Sequence, residues 1–246
     1  LIVPIYVGFD PREAVAYHTF CQSVISRSSV PVSFIPLHAP LLNNFDGQRD
    51  GTNAFIYSRF LVPYLCGYRG WAIFVDGDMV VTDDISKLWG MRNDHIFDKA
   101  LCVVKHDYKT RHRRKYIGSP IENDNADYPK KNQSSVILWN CGHYGNRILT
   151  PEFVREAPGS LLHRFEWLRD EQIGELPIEW NSLEGESSCS DDPKLIHHTL
   201  GIPGFKHYAA SKYSREWNSN LIDALNLSGE NPADMVKRAK EHEEWR

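Results

Sequence analysis

The sequence predicts an α/β fold with a mostly parallel central sheet flanked by helices, laid out as one domain over residues 1–246. Three observations carry that prediction. Apolar runs rich in β-formers alternate with stretches of helical spacing from the N-terminus onward. The first run is apolar almost throughout, as a strand covered on both faces must be. No Pro/Gly/Ser-rich linker and no internal repeat divides the chain.

Residues 1–8 form that first strand. Asp10-Pro11-Arg12-Glu13 then reads as a helix start, with Asp10 as N-cap, Pro11 at the first helical position and Glu13 closing a capping box. Ala14, Tyr17, Cys21, Val24 and Ile25 follow at helical spacing, and residues 30–37 make a second strand. A strand–helix–strand unit of this kind crosses over right-handedly in parallel. A polar loop, residues 38–53, leads to a second helical stretch. There Phe55, Phe60, Leu61, Tyr64 and Leu65 share an apolar side and Pro63 introduces a kink. Trp71–Val75 is a third strand, and residues 100–104 and 134–139 are two more. Asn231-Pro232-Ala233-Asp234 caps and opens a C-terminal helix from about residue 231.

With 246 residues, 41% hydrophobic and 24% charged, the chain buries a substantial core without disulfides. The net charge of -4 argues against a polycation built for nucleic acid, so any basic surface is local. Cys21, Cys66, Cys102, Cys141 and Cys189 are scattered and odd in number, which fits a reducing compartment. No apolar stretch approaches the ~20 residues of a membrane span. The polar C-terminal helix balances Lys237, Arg238 and Lys240 against Glu241, Glu243 and Glu244, which disfavours membrane attachment. The expected location is the cytoplasm.

The sharpest chemical signal is Asp76-Gly77-Asp78, delivered at the C-terminal end of an apolar strand. Ligands of open α/β sheets gather at that end. Paired carboxylates suit Mg²⁺ or Mn²⁺, which take one or two such ligands plus substrate phosphates. Gly77 removes side-chain bulk where a diphosphate must come close. The same residues, set between two apolar runs, read equally well as the Asp-Gly turn of a β-hairpin.

The surrounding motifs decide between those readings. Tyr57-Ser58-Arg59, then Trp71–Val75 and Asp76-Gly77-Asp78, is similar to the signature of family 8 glycosyltransferases. Further on, Ser134-Ser135-Val136-Ile137-Leu138-Trp139-Asn140, Arg169-Asp170-Glu171-Gln172, Leu176-Pro177-Ile178-Glu179-Trp180-Asn181, and Leu195-Ile196-His197-His198-Thr199-Leu200-Gly201 with Lys206 resemble that family's later motifs, in order. The resemblance implies a GT-A fold, a nucleotide-sugar donor (a UDP-sugar first), Mn²⁺ or Mg²⁺, and retention of anomeric configuration. It implies that the Val7-Gly8 backbone lies along the base and Asp10 meets the nucleoside. Arg59 would reach the donor phosphates or sugar, and Asp76, Asp78 and either His197 or His198 would hold the metal. Gly201 belongs to the closing motif, whose lysine neutralises the diphosphate. Lys206 stands five residues after that glycine where the family has three. Asn140, Asp170 and Glu171 would surround the transferred sugar, with Glu171 where the family often has Gln and Ser135 where it has Gly.

A covalent two-step route needs a carboxylate behind the sugar, and only Asp170 and Glu171 qualify by sequence. The amide in the family's place favours a front-face substitution instead. The sequence does not identify the acceptor; five formal positive charges among Lys109, Arg111, Arg113, Arg114 and Lys115, with His112 between them, read as a solvated loop, as a clamp on the donor, or as a patch for an anionic acceptor such as a phosphorylated saccharide or a modified base in DNA. A non-catalytic nucleotide-sugar binding module is the rival class. A nucleotidyltransferase would show a Gly-rich phosphate loop after the first strand, which Gly8-Phe9-Asp10-Pro11 is not.

Overall fold

The computed structural model describes residues 2–42, 53–93 and 98–225. The expected C-terminal helix from 231 and most of the loop at 38–53 lie outside them. In chain order the elements are β1 (Val3–Gly8), α1 (Ala14–Ile25), β2 (Val32–Leu37), α2 (Val62–Leu65), β3 (Trp71–Val75), β4 (Met79–Val81), α3 (Ile85–Gly90), β5 (Leu101–Val103), β6 (Arg114–Lys115), β7 (Asn123–Asp124), β8 (Val136–Asn140), α4 (Pro151–Glu156), α5 (Gly159–His163), β9 (Ile173–Glu175), β10 (Ser182–Leu183), β11 (Leu195–His197) and α6 (Ser214–Ala224).

Six strands build the central sheet in the order β2-β1-β3-β8-β5-β9. β2, β1 and β3 run parallel, as do β5 and β9, and β8 runs antiparallel between the two groups. The period of two along each strand sorts the core into two layers. Ala72, Phe74, Ile137 and Trp139 pack on one face with Phe60 and Phe165; Ile73, Val75, Val136 and Leu138 pack on the other with Phe20 and Trp180. Both faces are covered, which is why β1 and β3 are apolar almost end to end.

Several local expectations are corrected. The face α1 buries is Ala16, Thr19, Phe20, Ser23 and Val24, while Ile25 is exposed. Ser23 tolerates burial because its hydroxyl donates to the Phe20 carbonyl (2.7 Å) and accepts from Val81 N–H (3.0 Å). Glu13 closes no capping box: it ends a 3-10 turn, Pro11–Glu13, and is itself buried with Oε2 unpartnered among the described residues. Pro63 sits in the first turn of α2 instead of kinking a longer helix, and Tyr64 and Leu65 face solvent.

The hairpin alternative for Asp76-Gly77-Asp78 is not what forms. After β3 the chain leaves the main sheet, and β4 pairs antiparallel with β11 in a small sheet ordered β10-β11-β4. In that register Met79 lies opposite His197. The acidic pair is thus the junction between two sheets, and the junction carries a histidine strand to it. None of the described helices is long and apolar enough to cross a membrane.

Candidate functional site

Asp76 and Asp78 are buried, and with His197 they form a cluster whose ligand atoms all lie within 4.8 Å of one another. His197 Nε2 stands 3.4 Å from Asp78 Oδ1. Its other ring nitrogen, Nδ1, lies 3.1 Å from Asn181 Oδ1. The Asn181 amide is oriented by its Nδ2, which donates to the Asn132 carbonyl (3.0 Å), so Oδ1 must accept. Nδ1 therefore carries the hydrogen, and the Nε2 lone pair faces a carboxylate oxygen. Asp78 Oδ1 has no hydrogen-bond donor among the described residues. Two acceptors at that separation call for a cation or a proton between them. Two carboxylates and an imidazole with its second nitrogen held in place fit a divalent metal ion.

The neighbouring His198 does not belong to the cluster. Its Nδ1 is 2.6 Å from Glu184 Oε2, and Glu184 Oε1 accepts from the Tyr213 N–H (2.7 Å). Of the two histidines the sequence offered, strand register brings His197 to the acidic pair.

Arg59 is buried, with Nη1 2.9 Å from Asp76 Oδ1 and donating at 2.9 Å to the Ser134 carbonyl. Its guanidinium lies over the rings of Phe55 and Phe74 at 5.4 and 5.0 Å. Burial raises the Asp76 carboxyl pKa, with Arg59 opposing. For Asp78 burial also pushes upward, but His197, His198 and Lys115 outweigh it and the net direction is down. Glu13 completes this acidic floor. Burial, then Asp78, Asp10 and Asp76, hold its carboxyl well above the usual range, which favours the neutral form.

Gly77 and Gly8 are there for packing. A Cβ on Gly77 would sit 2.5 Å from the Gly8 carbonyl oxygen, and one on Gly8 would sit 2.3 Å from the Phe55 ring. The space beside Gly77 is therefore filled by β1 backbone, not left open for a diphosphate. Val7, fully buried, likewise presents no open strip for a base. Asp10 is the N-cap its sequence suggested: Oδ1 accepts from Arg12 N–H (3.0 Å) and Oδ2 from Ala54 N–H (3.0 Å), tying the first turn to the far end of the 38–53 loop.

Three expected residues lie elsewhere. Asn140 pairs with Trp71 at the start of β3, five residues before Asp76. At roughly 3.3 Å per strand residue this is the opposite edge of the sheet, on the order of 15 Å away. Asp170 and Glu171 precede β9, whose Ile173 pairs with Leu101, so they too sit at that edge, exposed, with Asp170 3.2 Å from Lys130. The antiparallel course of β8 is the reason: it brings Ser134 and Ser135, not Asn140, beside the acidic pair, and Asp76 N–H donates to the Ser135 carbonyl (2.9 Å). Gly201 lets the Tyr208 ring approach, since a Cβ there would meet it at 2.3 Å. Lys206 is exposed on a 3-10 turn and does not line the cleft.

The cleft over Asp76 and His197 is small, about 70 Å³, and is lined by Arg59, Tyr116, Ser134 and Ser135 among others. It adjoins a larger cavity of about 490 Å³, walled by Tyr57, Asn125, Lys131, Ser160 and Arg164. Lys115, Tyr128, Asn132, His163 and Thr199 line both. The basic run does not act as one surface. Arg114 is paired with Glu122 (2.7 Å) and Asp124 (3.0 Å), His112 Nε2 lies 3.1 Å from the Gly185 carbonyl, and Lys115 turns into the cleft, leaving Lys109, Arg111 and Arg113 exposed. Sequence reading gave no role to Asn181, although it ends a motif already singled out, and missed Tyr116; it named Lys115 only as one cation of the 109–115 run, since no local signal separates it from its neighbours.

No family model matches the chain. Among curated proteins, Protein CDI of Arabidopsis thaliana is 39% identical over 245 residues, covering 95% of this chain and 91% of that protein. Among solved structures, the bifunctional glycosyltransferase WbbM matches with TM-score 0.62 at 14% identity over 96% of this chain. This chain spans 51% of the WbbM chain. The galactosyltransferase LgtC, solved with donor and acceptor sugar analogs, matches with TM-score 0.53 at 12% identity, covering 96% of this chain and all of LgtC (100%). Mouse xyloside xylosyltransferase 1 matches with TM-score 0.52 at 13% identity, covering 82% of this chain and 100% of that one. At these identities the structural likenesses establish the fold, which is GT-A.

Proposed function

The chain belongs to the family of Arabidopsis thaliana Protein CDI, and from that premise, its GT-A fold and its acidic cleft, we propose that it is a metal-dependent glycosyltransferase. The donor is a nucleotide-diphosphate sugar, a UDP-sugar first, and the acceptor is a saccharide hydroxyl. The observation that carries this reading is the Asp76–Asp78–His197 cluster at the C-terminal edge of β3, with Asn181 holding the imidazole so that Nε2 faces Asp78. A divalent ion held there supplies charge neutralisation to the leaving diphosphate.

The protein's own residues do the rest. Arg59, in the wall of the cleft, holds Asp76 in place. Asn181 fixes the tautomer of His197. The 490 Å³ cavity next to the cleft is of a size to seat a sugar acceptor. The acceptor oxygen bonds to the anomeric carbon as the carbon–oxygen bond to the diphosphate breaks, and the acceptor's proton passes to a leaving phosphate oxygen. Retention by this front-face route is favoured because Asp170 and Glu171 are exposed and line neither the cleft nor the adjoining cavity. Catalysis then comes from positioning and electrostatic stabilisation. A saccharide is favoured over a base in DNA because the cations of the 109–115 run diverge instead of forming one face.

The test is Mn²⁺-dependent hydrolysis of a panel of nucleotide sugars. Activity towards one donor, abolished in Asp78→Ala while circular dichroism stays native, is the expected result. A protein that neither hydrolyses nor is thermally stabilised by any of them is not a transferase of this kind. With an acceptor identified, NMR of the product gives the anomer, and inversion would remove the retaining route.

A further inference from the structure

We propose that Lys115 is the residue that binds the donor diphosphate, the place the sequence pattern gives to Lys206. The proposal rests on the nucleotide-sugar reading and deepens it.

The argument begins with the hairpin β6–β7, in which Arg114 pairs with Asp124 and Lys115 with Asn123. Successive side chains of a strand point to opposite sides. Arg114 goes outward to Glu122 and Asp124, so Lys115 goes inward. Tyr116 then fixes the strand's end over the acidic pair. Its N–H donates to the Leu200 carbonyl (2.6 Å) and its hydroxyl to Asp78 Oδ2 (3.3 Å). To do both it adopts a left-handed backbone, φ 56°, a region that disfavours any residue with a Cβ. Strain of this kind persists where the surroundings over-determine it.

The result is an ammonium at the boundary between the two cavities, lining both. The other cations near it are already engaged: Arg59 with Asp76, Lys130 with Asp170, Arg164 with Glu166 (3.5 Å), and Lys131 with Asn125 Oδ1 (2.6 Å) and the Ala126 carbonyl (2.7 Å). Lys115 forms no ion pair within 4.0 Å among the described residues; its Nζ lies 5.0 Å from the Tyr116 ring centroid. Burial disfavours its charge, while Asp78 and Asp76 partly restore it. Asp76 and His197 line the same cleft as Lys115, so with an ion held by Asp76, Asp78 and His197 a diphosphate would lie within this lysine's reach, and a lysine is suited to meet phosphate oxygens as a point charge. Lys206 lines neither cavity.

The test is calorimetric binding of UDP in the presence of Mn²⁺, and of Mn²⁺ alone, to the wild type, Lys115→Met and Lys206→Met. Methionine keeps most of the lysine stem and removes its charge. Lys115→Met should weaken UDP binding about tenfold to a hundredfold, the range for a charge-assisted hydrogen bond. The same variant should bind Mn²⁺ alone as well as the wild type or better, because a repelling cation has gone; a purely structural role would weaken both. Lys206→Met should match the wild type throughout. Unchanged UDP affinity in Lys115→Met, an equal or larger loss in Lys206→Met, or a loss of Mn²⁺ binding in Lys115→Met would each overturn the proposal. No UDP binding by the wild type would remove the nucleotide-sugar reading itself, and this assignment with it.

Discussion

Arg59 Nη1 lies 2.9 Å from Asp76 Oδ1, and both side chains are almost wholly out of water, at 5% and 9% exposure. Both come from the resemblance motifs, yet the guanidinium serves the carboxylate instead of reaching past it. Removing one partner of a buried pair leaves an uncompensated charge, at about 3–5 kcal/mol. Arg59→Met should therefore lower stability by that order in chemical denaturation without Mn²⁺. Added Mn²⁺ should raise the melting temperature of the variant more than that of the wild type, since the ion replaces part of the lost charge. Equal shifts in the two proteins would contradict the placement of the ion beside Asp76.

The adjacent histidines separate by role. His197→Ala removes a ligand from the cluster, and Asn181→Ala removes the group that orients it; loss of such an outer partner typically costs 10- to 100-fold in metal affinity. Mn²⁺ titration should show that loss in both variants. His198→Ala should keep Mn²⁺ affinity but lose stability, because Glu184 is left buried without its 2.6 Å partner. Reversed outcomes for the two alanine variants would make His198 the ligand.

Gly77→Ala tests why a glycine stands between the carboxylates. The added methyl would meet the Gly8 carbonyl oxygen at 2.5 Å. That oxygen belongs to the backbone of β1, which is paired on both sides and cannot move cheaply. Overpacking of this kind costs about 1–3 kcal/mol. A drop in the denaturation midpoint is expected with no nucleotide present. A variant as stable as the wild type, with only donor binding impaired, would restore the reading in which Gly77 makes room for a diphosphate.

What the sequence disclosed and what it hid follow from the range of the interactions. The Trp71–Val75 run ends abruptly in two carboxylates, a contrast visible within eight residues, and so strand, edge and acidic pair were all legible. The direction of β8 was not. An apolar run carries no arrow, and whether Ser135 or Asn140 meets Asp76 depends on which way it crosses the sheet. That reversal moved Asn140, and the pairing of β9 with β5 moved Asp170 and Glu171, away from the place their motifs suggested. The choice between His197 and His198 rests on the Met79–His197 register, set by two strands more than a hundred residues apart. Lys115 was one cation in a run of five until the hairpin alternation separated it from Arg114.

His106 predicts a pH dependence of stability. Burial pushes its pKa from 6.5 down to about 3, with His197 adding in the same direction. Its Nδ1 lies 2.7 Å from the Ser188 hydroxyl, and Nε2 has no partner among the described residues, so a second proton would enter an unsolvated site. Between those two values the unfolded chain binds a proton that the folded chain refuses. The stability from this residue is therefore complete above pH 6.5 and declines as pH falls towards 3. At about 1.4 kcal/mol per pH unit below the unfolded value, acidification from about pH 7.5 to 5 costs up to about 2 kcal/mol. Carboxylates elsewhere contribute alike to the wild type and to His106→Gln, whose amide keeps a hydrogen bond to Ser188. Urea midpoints for the two proteins should therefore converge as pH drops from 7.5 to 5. Parallel curves would show that His106 accepts its proton in the folded state, and that the space around its Nε2 admits water.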